Sequence, residues 1–179
     1  MKFLFTTLAI ACFIPMASFA CGPSPQKVVR EITIKADPIK VWAIVGDFGG
    51  MHKWHPNVLT STLDHKKDTE GVEADYRVLA LKAGGEVVEK QRDMKNEVMK
   101  MSVVMVQGDM AVSNYSDVIT VKPSSVAGES VVTWVGRFNN KANAMQAAAG
   151  EDNAAAIAAV EAYYSAGLQG LKQVVETVH

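Results

Sequence analysis

Two histidines three residues apart, His52 and His55, lie in the stretch Gly46-Asp47-Phe48-Gly49-Gly50-Met51-His52-Lys53-Trp54-His55-Pro56. On one helical turn both imidazoles would face the same side, as a shared metal ion requires. A metal centre wants three or four ligands, and the acid nearby in sequence is Asp47 alone. His65 falls in a strand pattern and His179 at the chain end, with no cluster of cysteine or glutamate beside either. The expectation is therefore neutral surface or turn histidines and no metal. Nucleophilic chemistry has as little support: Cys21 sits near a terminus, and no serine occupies a G-x-S-x-G elbow. Gly49-Gly50 and Gly84-Gly85 lack both the spacing and the lysine of a phosphate loop, and no C-x-x-C-H haem attachment occurs. No cofactor is expected. Arg77, Glu89, Arg92 and Arg137 lie in strand patterns, where a charge ordinarily faces solvent, and that is the expectation for each. Were Glu89 to point inward, desolvation would raise its pKa and make it an acid or base.

The elements that position these residues are legible from turn chemistry and periodicity. Residues 27–35 read as an opening strand. Ala36-Asp37-Pro38 then supplies an N-cap and a proline at the first helical position. Val41, Trp42, Ile44 and Val45 give the helix an apolar face before Gly46 ends it. Strand candidates follow at residues 58–65, 72–81, 86–92, 98–106, 113–121 and 130–138. Their short connections argue for antiparallel neighbours, because a parallel crossover needs a dozen or more residues. From Asn153, the residues Ile157, Val160, Tyr164, Leu168, Leu171, Val175 and Val178 recur at steps of three and four, a long amphipathic helix. Gly167 and Gly170 lie on or beside that face. Each costs up to about 1 kcal/mol relative to alanine, so close packing of the helix is expected at both. Residues 142–149 read as a separate helical turn or loop, broken at Gly150.

Residues 1–20 carry one early lysine, Lys2, then an apolar run and the small-residue stretch Ala17-Ser18-Phe19-Ala20, the pattern of a secretory signal. Residues 21–26 read as a linker and 27–179 as one domain. Export implies a protein that works outside the cytoplasm. Cys21 directly after Ala20 leaves open a lipid anchor, and with it a membrane association; Ser18 stands where a lipoprotein signal usually has leucine. Cys12 would be removed with the signal, so no intramolecular disulfide is expected. Removing Lys2 leaves 17 basic side chains against 19 acidic, a net of −2. Charge this balanced and interspersed gives no electrostatic case for nucleic acid.

The order is α+β: a strand, a helix, a meander of antiparallel strands, then one long helix. Two period-two stripes suit an inward face, Met99-Met101-Val103-Met105 and Val132-Trp134-Gly136-Phe138. Methionine suits both plain core and permissive binding surfaces.

On its opening strand, Ala36-Asp37-Pro38-Ile39-Lys40-Val41-Trp42, Gly46-Asp47-Phe48 and Trp54-His55-Pro56, the chain resembles the START/Bet v 1-like superfamily in its polyketide cyclase/dehydrase branch. Val88-Glu89, Arg92-Asp93, Tyr115, Trp134-Val135-Gly136-Arg137-Phe138, Tyr164, Gly167-Leu168 and Leu171-Lys172 fit the same branch in the same order. With the export signal and the Gly22-Pro23-Ser24-Pro25-Gln26-Lys27-Val28 entry, it is most similar to MxaD-type accessory proteins of bacterial methanol oxidation. The resemblance implies a helix-grip fold, a curved antiparallel sheet of about seven strands wrapped around a long C-terminal helix, with a hydrophobic cavity. It implies for MxaD-type proteins a periplasmic, non-catalytic factor supporting electron transfer from methanol dehydrogenase to its c-type cytochrome. The Asn- and Ala-rich residues 139–153 depart from that pattern.

Three readings stay open at this level. The first is the accessory role, with Trp54-His55-Pro56 on the presented surface. The second is a binding module for a small apolar ligand, with Trp54, Tyr76, Met101, Tyr115, Trp134 and Tyr164 as candidate lining. The third is a cyclase- or dehydrase-type enzyme, for which no convergent polar set can be named. In all three, residues 46–56 form a lid between the first helix and the sheet, with Phe48 and Trp54 packing at the cavity mouth.

Overall fold

The computed structural model describes residues 22–177. The export segment, Cys21 and His179 lie outside them. Seven strands form one antiparallel sheet: β1 (Gln26–Ile34), β2 (Val58–Lys67), β3 (Glu73–Leu81), β4 (Glu86–Lys95), β5 (Lys100–Gly108), β6 (Val112–Pro123) and β7 (Ser130–Asn140). Their spatial order is β1-β7-β6-β5-β4-β3-β2. Each strand expected from the sequence is present, with ends moved by a few residues. At β5 the strand starts at Lys100 because Met99 takes a left-handed φ of 48° as the C-cap of a 3₁₀ turn, Asn96–Val98. Met99 therefore falls off the expected methionine stripe, while Met101 and Val103 stay buried on it.

Two helices complete the fold, α1 (Pro38–Val45) and α2 (Asn153–Thr177). Asp37 caps α1, its Oδ1 accepting the Ile39 N–H at 2.9 Å, with Pro38 in the first turn and Gly46 as the C-cap. The α2 start is capped by Asp152, which accepts the Ala155 N–H at 2.9 Å. The irregular stretch before it is a turn rather than a helix. Buried Asn140 organises it, donating to Ala144 O and Asn153 Oδ1 and accepting from the Ala144 N–H.

The strand order dictates the role of residues 46–56. β1 and β2 are consecutive in sequence yet occupy opposite edges of the sheet, so their connection must cross its mouth. It does so through α1 and a 3₁₀ turn, Phe48–Lys53. α2 packs against β1 and β7 and buries Val160, Tyr163, Tyr164, Leu168, Leu171 and Val175.

The two glycines of α2 meet the crossing segment. A Cβ at Gly167 would lie 2.5 Å from the His55 ring and 2.9 Å from Trp134. One at Gly170 would strike the Trp54 carbonyl oxygen and come within 2.8 Å of Pro56. The close packing expected of them is thus with the Trp54-His55-Pro56 turn as much as with the sheet. Gly170→Ala removes a helix-propensity cost of up to about 1 kcal/mol, yet it presses a methyl against backbone. We expect a net destabilisation of about 1–3 kcal/mol in urea unfolding; an unchanged or raised midpoint would refute this packing.

Candidate functional site

The strand registers align a transverse polar row inside an otherwise apolar face. Arg77 on β3 pairs with Glu89 on β4, Glu89 with Met105 on β5, Val103 on β5 with Asp117 on β6, and Asp117 with Gly136 on β7. Arg77, Glu89 and Asp117 are each at most 5% exposed, which corrects the solvent-facing expectation for Arg77 and Glu89. Arg92 and Arg137 are exposed as expected. An isolated charge would not survive such burial. Arg77 Nε donates to Glu89 Oε2 at 2.6 Å, and its Nη1 donates to Phe48 O at 2.9 Å. The same guanidinium lies 4.5 Å over the Phe48 ring. One ion pair therefore fastens the start of the 3₁₀ turn to two strands.

Asp117 has no cation of its own. It accepts the Tyr115 hydroxyl at 2.6 Å, and that hydroxyl lies 2.7 Å from the Tyr164 hydroxyl of α2. Tyr164 can enter because Gly136 has no side chain; a Cβ there would strike its hydroxyl oxygen. Burial, then the nearby Glu89 charge, raises the Asp117 pKa to about 7, against hydrogen bonding from Tyr115 that lowers it. Burial likewise pushes the Tyr115, Tyr163 and Tyr164 phenols well above their usual value.

The far end of the crossing segment is held by His55, which is 1% exposed. Asn57 N–H donates to its Nδ1 at 3.2 Å, so the proton is on Nε2, which lies 3.1 Å from the Tyr163 carbonyl oxygen. Both ring nitrogens are satisfied in the neutral state, and burial lowers the pKa to about 4. His55 is thus neutral and in a turn, as expected, but the turn is buried: the ring is a core group seated over Gly167 rather than a surface one. His52 is exposed, and the described residues hold no cluster of metal-binding side chains.

The six candidate lining residues part company. Trp54, Trp134, Tyr115 and Tyr164 come together, with Trp134 stacked on Tyr164 at 4.3 Å and edge-on to Trp54 at 5.9 Å. His55 and Tyr163 join this cluster, their ring centroids 4.1 Å apart. Met101 is buried on the same face, paired with Ile119. Tyr76 is on the other face. It alternates with inward Arg77, pairs with Lys90, and lies beneath the Lys66 ammonium at 4.8 Å. The strand phase therefore removes Tyr76 from the interior lining.

Open space lies on the outer face, where Tyr76 helps line about 430 Å³ with Val104, Val106 and Lys90, and also just outside the aromatic cluster. A groove of about 370 Å³ runs between the β3–β4 turn, the β5–β6 turn and α2. Leu81, Ala83, Met110, Ala111, Ala159 and Ala162 form its apolar walls, Tyr163 contributes to the lining, and Asn57 and Lys82 supply polar groups. None of the six residues expected from the sequence lines it. The sequence carried a signal for it in the alanines of α2, where larger side chains would fill the space. For Asp117 the signal was its place in the period-two series Tyr115, Asp117, Ile119 and Val121, all buried.

A family model described as polyketide cyclase/dehydrase and lipid transport matches residues 25–176. No curated protein sequence matches closely. Among solved structures, XoxI from Bacillus cereus is 23% identical, with 83% of this chain and 94% of that one covered at a TM-score of 0.67. A START superfamily protein from Mycobacterium smegmatis is 12% identical, with coverage of 86% and 99% and a TM-score of 0.67. The Zhui aromatase/cyclase from Streptomyces sp. R1128 is 14% identical, with coverage of 86% and 94% and a TM-score of 0.65. These likenesses fix the helix-grip fold expected from the sequence.

His55 and Asp117 act on stability in opposite directions with pH. Unfolded His55 takes up a proton near pH 6.5, but folded His55 does so only near 4. Its contribution is complete above pH 6.5 and drains as pH falls to 4, by roughly 3 kcal/mol. Unfolded Asp117 loses its proton near pH 3.8, whereas the folded state keeps it to about 7. That contribution is complete below pH 3.8 and is lost as pH rises to 7. Asp117→Asn deletes the second effect alone. The stability of Asp117→Asn minus that of the wild type should therefore rise by more than about 1 kcal/mol between pH 4 and 7 in urea unfolding; a pH-independent difference would refute the assignment.

Proposed function

This chain belongs to the polyketide cyclase/dehydrase and lipid transport family, and we propose that it acts as a non-catalytic binding module for a small apolar ligand. The observation that carries this is the groove between the two hairpin turns and α2, an open apolar space beside a core filled by aliphatic and aromatic side chains. Its volume of about 370 Å³ falls within the range of small-molecule sites. Trp54, Met101, Tyr115, Trp134 and Tyr164 then serve the ligand indirectly, as the packed layer behind the groove.

The buried polar groups favour a carrier over an enzyme. Arg77 and Glu89 bind each other and the crossing segment, and Asp117 binds Tyr115. None of the three lines the groove, so none is offered to a substrate there. The module works outside the cytoplasm, in the periplasm, on the strength of the export pattern in residues 1–20. The narrower role between methanol dehydrogenase and a c-type cytochrome rests on sequence resemblance alone, and the groove gives the ligand reading the stronger support.

Ala162 is exposed on the groove wall, so enlarging it fills the site without entering the core. We expect Ala162→Trp to weaken uptake of an apolar fluorescent probe at least tenfold with the circular dichroism spectrum unchanged. Equal uptake by the folded variant would overturn the assignment of the groove.

A further inference from the structure

The groove is chemically lopsided. Lys82 is the one charged residue among those lining it, and no carboxylate faces it from the same set. Lys82 sits beside Asn57, the other polar lining residue apart from Tyr163, with its N–H donating to the Asn57 carbonyl at 3.0 Å. Leu81, Ala83, Met110, Ala111, Ala159 and Ala162 supply apolar surface. The cavity thus has an apolar body with a cationic edge.

The Lys82 ammonium makes no ion pair among the described residues, although seven other lysine and arginine side chains do. Asp109 of the β5–β6 turn accepts the Glu86 N–H at 3.0 Å. The cation also bears on the interior behind the groove, because it contributes to the lowering of the His55 pKa. A lysine at an apolar edge lays its methylenes over that surface and keeps its charge at the water boundary.

We propose that the ligand of this groove is a monoanionic amphiphile, its apolar chain against Ala159, Ala162 and Tyr163 and its anionic head at Lys82. This rests on the groove being the binding site, and it adds the charge of the ligand. The head stays partly hydrated at the rim, where a single ion pair contributes modestly. The preference for an anionic head is therefore severalfold rather than absolute, and salt weakens it.

The test compares decanoate, decanol and decylamine by isothermal titration calorimetry on the mature protein, on Lys82→Gln and Lys82→Arg, and on Lys82→Glu. The wild type and Lys82→Arg should bind decanoate at least about threefold more tightly than decanol, less so in high salt. In Lys82→Gln the ratio should approach one, and in Lys82→Glu decylamine should bind more tightly than decanoate. If all three probes bind the wild type equally and the variants do not change their ranking, the anionic inference fails while the groove reading stands. If none of the probes binds, both fail.

Discussion

Everything at the mouth of this fold depends on a topological constraint: the strands that follow one another at the start of the chain lie at opposite edges of the sheet. The segment between them has to cross open space, and it is fastened at two points. Arg77 grips the carbonyl of Phe48 at one end, and the Tyr163 carbonyl holds His55 at the other. Between them, Gly167 and Gly170 let α2 approach a ring and a backbone that any side chain would push away. A neutral imidazole with both nitrogens satisfied loses little by being buried, whereas a charged one would put two donors face to face at Asn57. The turn is therefore part of the core.

The same logic explains why so many polar groups lie in the interior. Arg77 can neutralise one carboxylate, and Glu89 takes it. Asp117 then remains without a cation of its own, and burial beside Glu89 holds its proton into the neutral range against the hydrogen bond from Tyr115. These groups act mechanically. The ion pair holds the crossing segment, and the Tyr115–Tyr164 contact holds α2 to the sheet through the opening that Gly136 leaves. Breaking such a pair by removing one partner strands the other in a poorly solvating interior, which costs far more than the pair itself contributes.

How much of this is legible in the sequence follows from the physics of each signal. The strands, the Asp37-Pro38 cap and the long helix are legible because turn chemistry and periodicity are local. The inward charges are not: in Tyr76-Arg77-Val78-Leu79 either phase of the alternation puts apolar residues inside, so placing Tyr76 inward and Arg77 outward is as consistent as the reverse. Only the pairing of Arg77 with Glu89 across strands decides it. His55 reads as a surface or turn residue because its partner, the Tyr163 carbonyl, is 108 residues away. The groove is hidden for a different reason. Aromatic residues read as lining, whereas the open space is made by small ones, Ala83, Ala111, Ala159 and Ala162, that leave room.

Together these parts close the core and leave an apolar groove between the two hairpin turns and α2. The most direct test is an amide-resolved NMR titration of the protein with a soluble apolar ligand. A binding groove predicts shifts concentrated at residues 81–83, 110–111 and 159–163, with the outer face around Tyr76 and Lys90 unmoved. Shifts confined to that outer face, or none at concentrations where the ligand is soluble, would contradict it.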